Sequence, residues 1–201
     1  MKNFFIKKNK QGGFTLVETL VAVSIFSMTL VAVMTSLGQG VSDTNYAKNK
    51  ITAEYLAQEG IEYVRNLRDT YVLFPETTTD VAWGEFSNAL IPNPPLLCGD
   101  PHGCYFDLNP LEYDDLTGPM FDVDIALCPM FGCSTTPLLY DAATGKYGYT
   151  PGGVNSGFSR AIRVEEIVDD EQTKVTSTVY WKKGSTTHSV SFSEILFNWT
   201  E

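Results

Sequence analysis

One carboxylate, Glu18, stands near the start of an apolar run that begins at Phe14, directly after Gly12 and Gly13. From Thr19 to Ser42 no residue is charged. A carboxylate costs about 2.5–3.5 kcal/mol at the centre of a membrane-inserting helix and less near its end. Ionisable residues in such helices are usually functional and are met by a partner charge. Glu18 therefore asks for an explanation. The second group able to do chemistry is the four cysteines, clustered as "CGDPHGC" (Cys98, Cys104) and "CPMFGC" (Cys128, Cys133). They allow three pairings. If this part of the chain lies outside the cytoplasm, disulfides are favoured, each short loop closing on itself. Zinc is the competing chemistry, with His102 as a spare ligand, although paired zinc cysteines are more often separated by two to four residues. Here the gaps are five and four.

The remaining candidates are weaker. The acidic clusters "EYDDLTG" and "FDVD" offer oxygen ligands for calcium, but neither has the EF-hand spacing, and a solvated acidic surface explains them. Only two histidines occur, His102 and His188. His188 precedes Ser189 inside a predicted strand and reads as an ordinary strand residue, since a catalytic triad is recognised by geometry and not by adjacency. No phosphate loop, dinucleotide fingerprint or His-Glu zinc helix is present. "NWT" at Asn198 matches a glycosylation sequon without further support. These readings predict no enzyme and no cofactor.

Charge and hydropathy set the frame for these residues. The chain has 201 residues and a net charge of −10. Residues 1–13 hold Lys2, Lys7, Lys8 and Lys10 and no acid, so the other 188 carry −14. An acidic body excludes nucleic acid as a direct partner, because phosphate binding needs a basic surface. The uncharged stretch of 24 residues would make a helix of about 36 Å, enough to cross a hydrocarbon core of about 30 Å. Lysines in front of it predict a cytoplasmic N-terminus and an exported C-terminal part. A secretory signal peptide would have an apolar region of only about 7–15 residues. A plain anchor would leave Glu18 and the Gly-Gly-Phe junction without a purpose.

The stretch "KQGGFTLVETLVAVSIFSMTLVAV" resembles the N-terminus of type IV prepilins and of the pseudopilins of type II secretion. That family has a short basic leader ending in Gly, then Phe-Thr-Leu-any-Glu, then an apolar helix. The resemblance implies that a membrane prepilin peptidase cuts after Gly13 and methylates the new amine of Phe14. It also supplies the cation for Glu18: the Phe14 ammonium of a neighbouring subunit in a growing filament, each charge being costly alone in a low dielectric. The implied domains are a leader over 1–13, a transmembrane and filament-core half-helix over 14–42, and an extracytoplasmic head over 43–201.

Within the head, no proline occurs before Pro75, so one helix is predicted from Phe14 to about residue 73. Its second half keeps helical spacing at Ala47, Ile51, Leu56, Ile61, Val64, Leu67 and Tyr71. Glu62 and Arg65, three apart, are placed to pair on its wet side. Gly38 and Gly40 are expected to loosen it near the membrane exit. Residues 74–157 hold all ten prolines, eleven acids and one base, Lys146, and read as an acidic loop region. From Phe158 the period becomes two. "FSRAIRVEEIV", "KVTSTVYW" and "HSVSFSEILF", separated by turns at Asp169–Gln172 and Lys182–Thr186, predict a three-stranded antiparallel meander over 158–197. Helix first and sheet last is an α+β arrangement. It agrees with the pilin layout, in which the sheet packs on the C-terminal half of the long helix. The closing segment also resembles minor pilins and pseudopilins of the PilV-like or GspI-like kind.

The resemblance implies a minor pilin or pseudopilin, a structural subunit of a type IV pilus or type II secretion-like filament. Its partners would be other pilins or pseudopilins, the prepilin peptidase, an inner-membrane assembly platform and membrane lipid. It would sit in the bacterial inner membrane before assembly and in an extracytoplasmic or cell-surface filament afterwards. The alternative is a pilus-delivered binding module, an adhesin or cargo receptor, with recognition in the acidic two-loop cysteine region.

Overall fold

The computed structural model describes residues 12–72, 79–91, 98–99, 103–106, 113–114, 118–119, 125–129, 133–149 and 151–198. The leader lysines, His102 and most of the two acidic clusters lie outside these residues. The chain divides into two units, Met1–Tyr46 and Ala47–Glu201.

The described part of the first unit is helical. It is supplied by α1 (Leu16–Val72), which runs unbroken through Gly38 and Gly40. The glycines expected to loosen the helix therefore do not interrupt it. Single glycines cost only about 1 kcal/mol each, which a long cooperative helix tolerates. Its apolar side chains are exposed on every side, Leu16, Val23, Phe26, Val31 and Leu37 among them. An 18-residue window reaches a mean hydropathy of 2.2, so the helix is long and apolar enough to cross a membrane.

In the second unit α1 packs on an antiparallel sheet. Ala53, Leu56, Ala57, Gly60, Ile61, Val64, Leu67 and Tyr71 form its buried stripe, with the three- and four-residue steps of a helix face. The stripe starts later than the sequence spacing predicts: Ala47 and Ile51 are exposed. The C-terminal half of α1 thus has one covered face, and the resulting fold is α+β and pilin-like.

The three alternating runs form β8 (Phe158–Val168), β9 (Gln172–Lys183) and β10 (Thr186–Phe197). Residues 74–157 contain more order than their composition suggests. They hold α2 (Thr79–Leu90), β1 (Cys104–Phe106), β2 (Tyr113–Asp114), β3 (Gly118–Pro119), β4 (Ile125–Leu127), the 3-10 turn η1 (Cys133–Thr135), β5 (Leu139–Asp141), β6 (Lys146–Gly148) and β7 (Val154–Asn155). The main sheet has the order β10-β9-β8-β1-β4, with small sheets β2-β3 and β6-β5-β7 beside it. The strands of two or three residues are too short to show a period; β2 with β3 and β5 with β6 pair across short turns, whereas β1 meets β4 and β8 from more distant parts of the chain.

The core joins Val64, Leu67 and Tyr71 of α1 to Trp83, Phe86 and Leu90 of α2 and to Phe106, Ile162, Val164, Val175 and Leu196 of the sheet. Alternation along β9 buries Thr173, Val175, Ser177, Val179 and Trp181. The intervening Thr176, Thr178 and Tyr180 therefore lie on the opposite, outer face of the sheet.

Candidate functional site

The first turn of α1 is built from "GGFTLVE". Gly12 and Gly13 stand in open space, with nothing within 4 Å of the position a side chain would take. Thr15 precedes the helix and caps it: its Oγ1 accepts the backbone N–H of Glu18 at 3.3 Å. Thr-x-x-Glu is the spacing of a capping box, a signal present in the sequence that a reading of hydropathy alone passes over. Glu18 lies in the first turn, where a negative charge is favoured by the positive end of the helix dipole. Its side chain is exposed, as are Phe14 and Leu16 beside it.

Further along, hydroxyls that would be costly in an apolar medium bond back to the helix. Ser24 donates to Leu20 O at 2.5 Å, Ser27 to Val23 O at 2.8 Å and Thr35 to Val31 O at 2.9 Å. The helical backbone and these three hydroxyls are thereby satisfied within the helix, as hydrocarbon requires. Glu18 is the one group here whose charge the helix does not pair.

Residues 8–34 match the family model of the prokaryotic N-terminal methylation motif. The chain carries a type IV prepilin-like signal. That signal spans the basic residues from Lys8, the Gly12–Gly13 pair and most of the exposed apolar helix, and the unit Ala47–Glu201 lies outside it. No curated protein and no solved structure matches the chain.

Each cysteine pair is bonded within itself. Cys98 joins Cys104 and Cys128 joins Cys133, each with Cα atoms 4.6 Å apart. All four side chains are buried, and no cysteine is free to hold zinc. The first bridge ties the segment after α2 to β1, and Cys98 O accepts from Val164 N at 2.8 Å. The second ties the end of β4 to η1 and packs with Ala161 on the outer face of β8. Gly103 is required between them: its φ is 73°, and an added Cβ would come within 2.9 Å of Ile162 O.

Two ion pairs fasten α1 to the sheet. Arg160, on β8 and 1% exposed, donates from Nη1 to Leu56 O at 3.1 Å and to Glu59 Oε2 at 3.0 Å. Its Nε and Nη2 have no hydrogen-bond partner among the described residues. Beside it Gly60 brings helix and sheet together, since an added Cβ would lie 2.5 Å from Ser177 Oγ. Arg65 makes the expected bond to Glu62. It also clamps Glu194 on β10, with Nη2 at 2.7 and 2.5 Å from the two carboxylate oxygens. The Glu194 hydrogen bond, opposed by partial burial and aided by nearby charge, raises the Arg65 pKa further above its ordinary range. Arg160 shares the phase of Ile162 and Val164, so period two already placed it inward. Its partner, 101 residues away, has no sequence signal.

His188 lies in β10 with its ring stacked on Trp181, centroids 5.6 Å apart. Glu166, Asp169 and Asp170 gather their carboxylates within 4.8 Å at the exposed β8–β9 turn. Asn198 closes that turn by donating to Asp170 O.

Proposed function

We propose that the chain is a minor pilin or pseudopilin, a structural subunit of an envelope filament. In this reading residues 1–13 are removed after Gly13 by the prepilin peptidase, which methylates Phe14. Residues 14–42 span the inner membrane with the N-terminus cytoplasmic, then lie in the filament core. Residues 43–201 form the extracytoplasmic head. The observation that carries the reading is the helix start: a prepilin-like motif opening a long helix whose exposed apolar stretch, as far as Ser42, bears a single carboxylate, Glu18. Cleavage would create an ammonium at Phe14, one helical turn from Glu18. In a filament that ammonium and the Glu18 of a neighbour neutralise each other and set the axial register.

Replacing Glu18 with Gln tests this. Membrane insertion and cleavage after Gly13 should persist, because a neutral amide is less costly in lipid and the scissile bond is untouched. Filament incorporation should fall by about two to four orders of magnitude, since an unpaired buried charge costs about 3–5 kcal/mol. The assay compares mature protein in membrane and sheared-filament fractions. Wild-type levels of Glu18→Gln in filaments would refute the pairing.

A further inference from the structure

The outer face of the main sheet, opposite α1, carries a cleft of about 640 Å³. Small-ligand sites fall in the range of about 300–1,000 Å³. Its walls include Ser134, Thr135, Asn155, Tyr180, Lys182 and Thr187. Among the described residues these polar groups are hydroxyls, one amide, one phenol ring and one ammonium, and no carboxylate or imidazole lines the cleft. A divalent cation needs anionic oxygen ligands, which the described wall lacks. A phosphate or polyanion needs several cations, and Lys182 is the single one among the described residues of the wall. Hydrolysis of a glycosidic bond needs a pair of carboxyl groups, so the cleft is equipped to hold a ligand and not to cut it.

Hydroxyls and amides donate and accept alike. They suit a ligand that presents many neutral donors and acceptors around an otherwise apolar ring. The amide oxygen of Asn155 accepts from Gly157 N at 2.8 Å, which fixes the side chain. Its NH2 has no partner among the described residues and remains for a ligand. The half-buried Tyr180 supplies a ring with an apolar face and a polar tip.

The polar track does not end at the cleft. On the same face Thr178 bonds Ser191 at 2.8 Å and Thr176 bonds Ser193 at 3.0 Å. Alternate residues of a strand repeat about every 6.7 Å, so Lys182, Tyr180, Thr178 and Thr176 form a line of about 20 Å. We propose that this cleft and the hydroxyl ladder leading from it bind a neutral polysaccharide chain. The Cys128–Cys133 bridge holds the wall in place, because it seats η1, with Ser134 and Thr135, against Ala161. The proposal does not depend on Gly13 being the cleavage point.

The test uses the full chain in a detergent without a sugar headgroup. Calorimetry and ligand-observed NMR follow titration with tetramers of β-1,4-linked glucose and of β-1,4-linked N-acetylglucosamine, with tetragalacturonate as the charged comparison. At least one neutral tetramer should saturate below about 10 mM, and tetragalacturonate should not. Tyr180→Ala should weaken binding about 10-fold, and Asn155→Ala and Thr187→Val about 5-fold each, with unchanged melting temperature for the two exposed positions. No saturation by either neutral tetramer below about 10 mM would overturn the proposal. So would tighter binding of tetragalacturonate, or neutral-tetramer affinity that Asn155→Ala and Thr187→Val both leave unchanged.

Discussion

Removing the Glu59 carboxylate should destabilise the head more than removing the arginine it serves. Arg160 is 1% exposed while the Glu59 side chain is 40% exposed. In Glu59→Ala the guanidinium stays buried with only the Leu56 carbonyl, its other nitrogens already lacking partners. Stranding a fully buried charge costs about 3–5 kcal/mol. Partial exposure of Glu59 screens the pair, so about 2 kcal/mol is expected, or about 4–8 °C in melting temperature for a chain of this size. In Arg160→Met the carboxylate left behind is already partly solvated and the unpartnered nitrogens are gone. Replacing a buried ion with an apolar side chain of similar volume is often neutral or stabilising, so this variant should melt within about 3 °C of wild type. The double variant should recover most of what Glu59→Ala loses. Thermal unfolding of the full chain by circular dichroism reads all three. If Glu59→Ala melts like wild type, or Arg160→Met falls as far as Glu59→Ala, the desolvation argument is wrong.

Gly60→Ala should lower stability by about 1–3 kcal/mol, because its Cβ would meet Ser177 Oγ; adding Ser177→Ala should return part of that loss in the same melt. Replacing Cys98 and Cys104 together with Ser should cost about 2 kcal/mol, the entropy of a short closed loop, seen as a lower melting temperature than wild type under non-reducing conditions only. Burial, aided by the charge of Glu85, raises the Tyr71 pKa above its ordinary 10.0. Its contribution to stability is therefore complete below the unfolded value and lost as pH rises through the folded one, so ultraviolet titration should find one tyrosine ionising late, together with alkaline loosening of the core. Mass spectrometry of the protein from its native host should find a mature chain beginning at a methylated Phe14; an intact Met1 or a start at Gln39 would refute processing after Gly13.

Local pattern made much of this protein legible. Basic residues, a glycine pair, a lone carboxylate and an uncharged run are contiguous in sequence, and the matched motif over residues 8–34 reads that local string. Whether such a helix is long and apolar enough to cross a membrane depends on the chain segment itself. The helical steps from Leu56 to Tyr71 and the period-two runs from Phe158 to Phe197 likewise encode which face is buried, because periods of 3.6 and 2 are properties of single elements. The Thr15 cap was equally local, written as Thr-x-x-Glu before the apolar run.

Tertiary structure decided what depends on the partner across the gap. Where the helix meets the sheet determines that the buried stripe begins at Ala53 and that Ile51 is exposed. Strands as short as β1 and β4 are specified by register, β1 against β8 and β4 against β1, and by the bridges at Cys98–Cys104 and Cys128–Cys133, not by their own few residues. Arg160 is a charge in an inward strand position, and only the packed helix brings Glu59 and Leu56 to meet it. The cleft around Tyr180 draws its walls from η1, the β7–β8 connection, β9 and β10. Such a concavity exists only after these segments pack, because its shape is a sum of distant contacts that no local period records.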